Sequence, residues 1–178
     1  MKKIILSLIS ILLITGCNNQ NNITDNKIKE EYTKIKSYNE KFEIKVPSDW
    51  KQTEEKGELN DSADLEIYEK SSQKYFIALM EAKEDLTWTF DEYKNEIFKQ
   101  NQELYETTFT DIKEIKLNTN NASYVEFKTV RNNTNIYMRI YAIETTNYYG
   151  QLLIWTTYSQ KDELNNEFNQ MILSFKEI

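Results

Sequence analysis

The side chains that do most chemistry near neutral pH are nearly missing from this chain: among 178 residues there is one cysteine and no histidine. A Ser-His-Asp triad, histidine-bound zinc and imidazole proton transfer are therefore excluded. Three glycines, one of them Gly16 near the N-terminus, leave neither a phosphate-cradling P-loop nor a dinucleotide fingerprint, and no nucleophile elbow. Carboxylates are the abundant acid–base groups, 29 of them. A glycosidase needs two flanking a sugar bond, but here Asp and Glu fall mostly on helix faces and strand edges, where solvation accounts for them. The chain reads as no enzyme and as needing no cofactor. Asn60-Asp61-Ser62-Ala63-Asp64 gathers oxygen ligands that suit Ca²⁺, yet it lacks the twelve-residue EF-hand pattern, so no metal site is assigned.

Aromatic side chains are the remaining candidates for recognition. Trp50 and Trp155 lie in strand contexts and read as core. Trp88 directly precedes Thr89, and Tyr93 follows five residues after Trp88, the spacing of a hydrophobic staple at a helix start. The alternative use of Trp88 is an exposed platform with Tyr148 and Tyr149, stacking on a sugar or anchoring a protein. Trp88, Tyr148 and Tyr149 are thus the candidate binding residues.

Cys17 has a different chemistry. Lys2 and Lys3 form a basic start, and Ile4 to Ile14 is an apolar run broken by Ser7 and Ser10, shorter than the ~20 residues of a permanent span. It ends in Ile14-Thr15-Gly16-Cys17, which resembles the bacterial lipobox; a plain signal peptide with a chance cysteine is the alternative. The resemblance implies cleavage before Cys17, a diacylglyceryl thioether on its sulfur, and palmitate-type acylation. Two or three acyl chains hold a protein to a bilayer where one binds marginally. Residues 1–16 are then a lipoprotein signal peptide and 17–31 a lipid-anchored polar tether, reaching roughly 20 Å as random coil. The expected location is the extracytoplasmic face of the cell membrane.

Removing residues 1–16 takes away Lys2 and Lys3 and no acid, leaving 20 basic against 29 acidic side chains, net −9. Such a balance without a basic cluster does not suit nucleic acid, whose affinity rests on phosphate neutralisation. It is also repelled by anionic lipid, so attachment falls to the acyl chains. With one cysteine no intrachain disulfide forms, and a domain near 140 residues holds together on its core.

The elements that must position these residues follow from periodicity. Ile28, Tyr32 and Ile35 recur at helical spacing, so the first segment reads as helix or as a short strand near 33–38, the strand being preferred. Further strands are expected at Phe42–Val46 ended by Pro47, at Trp50–Glu54, Asp64–Glu69 and Tyr75–Ala82. Phe76–Met80 is apolar on both faces and reads as a central strand covered by helices. Thr89 with Glu92 is a capping box opening a helix to about Glu106, striped by Phe90, Tyr93, Ile97, Phe98 and Tyr105. Strands follow at Phe109–Leu117, Ser123–Arg131, Asn135–Glu144 and Tyr149–Tyr158, with turns at 118–121, Asn132-Asn133 and Thr146-Asn147. Ser159 is the expected cap of a last helix that buries Leu164, Phe168, Met171, Ile172 and Phe175.

Segregated runs of strands and helices mean α+β with an antiparallel sheet. Within this order, Phe42-Glu-Ile-Lys-Val-Pro47-Ser-Asp-Trp50 resembles the strand–Pro–Trp opening of PsbP-like domains, named for an extrinsic subunit of photosystem II and sharing their fold with a Ran-binding import factor. The resemblance runs through nearly all of 32–178. It implies an antiparallel β-sheet sandwiched between helices, with no catalytic residues to carry over and many lipid-anchored bacterial members. The expectation is a non-catalytic, lipid-anchored protein that binds or helps assemble a protein partner of the envelope. A module for cell-wall glycan is the alternative, with a carboxylate-dependent envelope hydrolase behind it.

Overall fold

The computed structural model describes residues 32–109, 111–117 and 120–178; the expected signal peptide, Cys17 and the tether lie outside them. Among the described residues no helix is long and apolar enough to cross a membrane. The chain runs β1 (Tyr32–Lys36), β2 (Phe42–Pro47), β3 (Lys51–Gln52), β4 (Leu65–Glu69), β5 (Lys74–Ala82), α1 (Phe90–Leu104), β6 (Lys113–Leu117), β7 (Asn120–Arg131), β8 (Thr134–Glu144), β9 (Tyr148–Thr157), α2 (Lys161–Ser174) and β10 (Lys176–Glu177).

Seven strands form one antiparallel sheet in the order β3-β4-β5-β9-β8-β7-β6, so the twice-apolar β5 and β9 fall near its middle. Alternation then sorts their side chains. Leu152, Ile154, Phe76 and Ala78 enter a core with α2, while Leu153, Trp155 and Ile77 enter a second core with α1. The result is an α+β sandwich, a sheet between helices.

Beside α2 lies a second sheet of three strands, β1-β2-β10. Its β10 was not expected, because two residues carry no readable period; they pair with Glu43 and Phe42. Asn132 and Asn133 make the β7–β8 turn with φ of 49° and 61°, the left-handed pair a two-residue hairpin requires. Trp50 and Trp155 are both buried in the core.

Three expectations need correction. The strand expected over Trp50–Glu54 shrinks to Lys51–Gln52, because the loop after it wraps a buried carboxylate. Glu66 is fully buried and accepts backbone N–H bonds from Gly57 (2.8 Å), Leu59 (2.9 Å) and Asn60 (2.5 Å), besides the Thr53 hydroxyl at 3.1 Å. The strand expected from Phe109 starts at Lys113, since the Phe109 ring sits against Phe98 of α1 and Phe127 of β7, at 6.2 and 5.0 Å between centroids. Ser159 does not cap α2. It lies inside a 3₁₀ turn, Tyr158–Gln160, and shares a hydrogen bond with Thr157. Gln160 precedes the helix without a side-chain cap, and Asp162 and Glu163 supply negative charge to its first turn.

Candidate functional site

One end of the large sheet collects the segment after β5, the first turn of α1 and the β8–β9 turn, and it is here that open space and polar side chains meet. The helix starts where it does for local reasons. Thr89 accepts from the Glu92 N–H at 3.3 Å and Glu92 accepts from the Thr89 N–H at 2.8 Å, the expected capping box. Those bonds from Thr89 hold the Glu92 carboxyl below the usual range. Trp88 and Tyr93 rings meet at 6.5 Å as a staple does.

A cleft of about 580 Å³ opens between this first turn and the β6–β7 pair, bordered by Asp91 and Lys94 on one side and by Glu114, Lys116 and Asn121 on the other. Lys94 spans it, 3.0 Å from both Asp91 and Glu114, and so ties helix to strand. A second cleft of about 410 Å³ lies around Lys41, Lys83, Tyr148 and Glu177. A polar chain joins the two: Lys83 pairs with Glu144 at 2.9 Å, Asn121 donates to Glu144 at 2.7 Å, and Lys116 donates to Asn121. Burial pushes the Glu144 carboxyl up, but the bonds from Lys83 and Asn121 outweigh it and hold it low.

The structure places the three candidate aromatics near this end without joining them into one platform. Tyr149 is buried; it stacks on Tyr93 at 5.1 Å and its hydroxyl donates to the Trp88 carbonyl at 3.2 Å, so Trp88 and Tyr149 do meet. Tyr148, the preceding strand residue, belongs to the opposite core, with its ring edge-on to Phe42 at 5.0 Å. Its hydroxyl accepts from Lys41 at 2.7 Å in the second cleft. Trp88 is half-buried beside the Thr89 that borders the first cleft. Lys83, Lys116, Asn121 and Glu144 were not singled out in the sequence. Scattered charged and amide residues carry no local signal, and strand register alone brings them together.

Two further carboxylates near this end have internal partners. Burial pushes Glu81 up, and it accepts from the Tyr93 hydroxyl at 3.2 Å. Burial also raises Asp64, which accepts from the Met80 N–H at 2.9 Å and from the Asn39 amide at 3.0 Å. The oxygen-rich loop is similarly folded inward, Asn60 accepting from the Ser62 N–H at 2.9 Å. Among the described residues no group of three acidic, histidine or cysteine side chains is arranged to hold a metal ion. The arrangement presents paired charges and two open clefts; it can bind through shape and hydrogen bonds.

No protein-family model and no curated protein matches the sequence. Solved structures do. Cyanobacterial PsbP from Synechocystis sp. PCC 6803 superposes with TM-score 0.58 at 10% identity, covering 88% of this chain and 98% of that one. LpqN of Mycobacterium tuberculosis, described as involved in cell envelope biogenesis, gives 0.57 at 10%, covering 84% and 92%. The Ran-binding protein Mog1p of Saccharomyces cerevisiae gives 0.56 at 10%, covering 83% and 95%. The chain also spans about half (48%) of a Bacteroides thetaiotaomicron protein, with TM-score 0.54 at 15% identity. At these identities the likeness is one of fold, and that fold is the PsbP-like sandwich.

Proposed function

We propose that this chain is a lipid-anchored, non-catalytic protein of the cell envelope that binds a protein partner, or helps assemble one, through the end of the sheet that carries the two clefts. The observation that carries the reading is the state of the charged groups there. Lys94 bridges Asp91 and Glu114 at the first cleft, and Lys83 of the second cleft pairs with Glu144, so these groups engage one another instead of converging on a point where a bond would break. Such a surface serves recognition, with Trp88 and Tyr148 at its rims and Tyr149 supporting Trp88 from beneath. The fold likeness to a Ran-binding protein and to a protein of envelope biogenesis supports a binding role in that compartment.

Two experiments test it. A photo-crosslinking amino acid at exposed Asp91 or Thr146 is expected to yield discrete protein adducts in intact cells, and none at Lys70 in the β4–β5 turn at the other end. Adducts to polysaccharide would move the reading to the glycan alternative, and no adducts at either position would remove it. Anchoring is separable: Cys17→Ser is expected to abolish incorporation of a fatty-acid analogue, and label retained on that variant would overturn lipidation at Cys17.

A further inference from the structure

The small sheet carries a charge that no stretch of the sequence displays. One of its faces, with Phe42, Ile44 and Val46, is buried in the core with α2. The other face is built by register. Lys36, Glu43 and Lys176 stand side by side across β1, β2 and β10, and Lys34 lies directly opposite Lys45 in the next row. Lys34 and Lys176 reach the buried Glu43 at 3.4 and 3.1 Å, while the four lysines themselves are exposed. Like charges set directly opposite on two strands cost stability, so the fold gains nothing from Lys34 facing Lys45.

Four lysines and one glutamate give this face net +3, or +2 when Glu40, which nears Lys36 at 3.7 Å from the β1–β2 turn, is counted with it. Residues 32–178 hold 18 basic and 26 acidic side chains, so outside those five residues 14 stand against 25, net −11. The composition of the face points to its counterpart. Tyr32, at the start of β1, donates its hydroxyl to Gln170 of α2. The three strands contain no arginine and no exposed large apolar side chain. Protein interfaces centre on aromatic, methionine and arginine side chains and are depleted of lysine. Lysines on flexible stems suit a diffuse negative surface instead. Fifteen residues separate Tyr32 from Cys17, and at no more than about 3.5 Å each they keep β1 within roughly 50 Å of an anchored sulfur.

Resting on the lipid-anchored reading above, we propose that the face of Lys34, Lys36, Lys45 and Lys176 docks on the anionic headgroups of the membrane that holds the chain, and so orients the domain there. Attachment still falls to the acyl chains; the lysines supply direction, each worth about fivefold near such a surface. The rest of the domain is repelled by the same headgroups, which disfavours other orientations. Because α1 packs on the opposite face of the large sheet, this docking turns α1 and the larger cleft away from the bilayer, toward a partner.

The test takes the full chain purified from bacterial membranes in detergent and reads Cys17 by mass spectrometry. The chain then enters vesicles of phosphatidylcholine alone, or with phosphatidylglycerol as about a third of the lipid. A bare Cys17 would sink the lipid-anchored reading by itself; its thiol, the only one in the chain, is then coupled to a maleimide lipid, so the face is tested all the same. Acylation by a water-soluble amine reagent is expected to slow at least about fivefold at Lys34, Lys36, Lys45 and Lys176 on the phosphatidylglycerol vesicles. It is expected to stay unchanged at exposed Lys99 of α1, and to recover at the four lysines in high salt. Lys45→Glu sets a carboxylate opposite Lys34, so it is expected to be at least as stable as the parent while protection at Lys34, Lys36 and Lys176 falls below about twofold. Equal rates on both vesicles, equal slowing at Lys99, or full protection in Lys45→Glu would overturn the docking. Slowing in detergent that grows with protein concentration would assign the face to a second copy, and slowing in intact cells that neither vesicle reproduces would assign it to an acidic protein; either result overturns it.

Discussion

Trp88 makes two contacts of different kinds, one by its ring and one by its backbone. Its ring packs on Tyr93 at the first turn of α1, and its carbonyl takes the Tyr149 hydroxyl from the sheet. It therefore fastens the segment after β5 to both helix and sheet while standing half-exposed beside the larger cleft. Trp88→Ala keeps the carbonyl and loses the ring, so the expected cost is about 1–2 kcal/mol in denaturant unfolding. If the ring also anchors a partner, the same variant weakens crosslinking from Asp91 in protein that remains folded. Unchanged crosslinking in well-folded Trp88→Ala would remove Trp88 from the binding surface and leave the staple as its whole role.

Helix α2 is held to the sheet by apolar and ionic contacts together. Leu164, Phe168, Met171 and Ile172 are buried, and the Phe168 ring lies 5.9 Å from Phe76 and 5.6 Å from Tyr141. At one side of the helix the buried Lys74 pairs with Glu163 at 2.7 Å and with Glu167, which also accepts from the Trp50 indole at 3.2 Å. At the other, Arg139 donates to Asn165 at 2.8 Å, Asn169 at 3.1 Å and Glu126 at 3.0 Å. A side chain enclosed this fully leaves a void when cut back. Phe168→Ala is expected to cost about 3–5 kcal/mol, read from denaturant midpoints. A loss below about 1 kcal/mol would mean the helix repacks freely despite the Lys74 ion pairs on one side and the Arg139 bonds to Asn165 and Asn169 on the other.

Across the whole molecule, charge is uneven, and the response to acid follows from it. The Glu126 carboxyl is pushed up by burial, but bonds from Tyr137, Lys113 and Arg139 outweigh that and hold it down at about 2. Its value in the unfolded chain is about 4.3. A lowered folded value means stability that is present above pH 4 and is lost as pH falls toward 2, because the unfolded chain takes the proton first. Asp64 and Glu81 work in the other direction: burial raises them, so they favour the folded state as pH drops through their range. Glu126→Gln is expected to be less stable than the parent at pH 7, with the difference shrinking toward zero as pH approaches 2. Urea midpoints measured across that range check it, and a constant difference would show that Glu126 contributes through packing and not through charge.

What the sequence determined alone was whatever depends on near neighbours. The capping box of Thr89 and Glu92, the Asn132-Asn133 turn, the stripe of α2 and the doubly apolar β5 are all written within a few residues, where helix and strand periods act. From these the α+β sandwich and its likeness to PsbP-like domains followed. Contacts distant in sequence decided the rest. Glu66 shortened β3 by drawing three backbone N–H groups onto its carboxylate, and Phe109 left the strand to pack against Phe98 and Phe127. The division into two sheets, the opposite faces taken by Tyr148 and Tyr149, and the Lys83–Glu144–Asn121–Lys116 chain between the clefts depend on strand order and register. Strand order is set by how the layers bury their apolar faces together, an energy that belongs to the packed chain and to no segment of it.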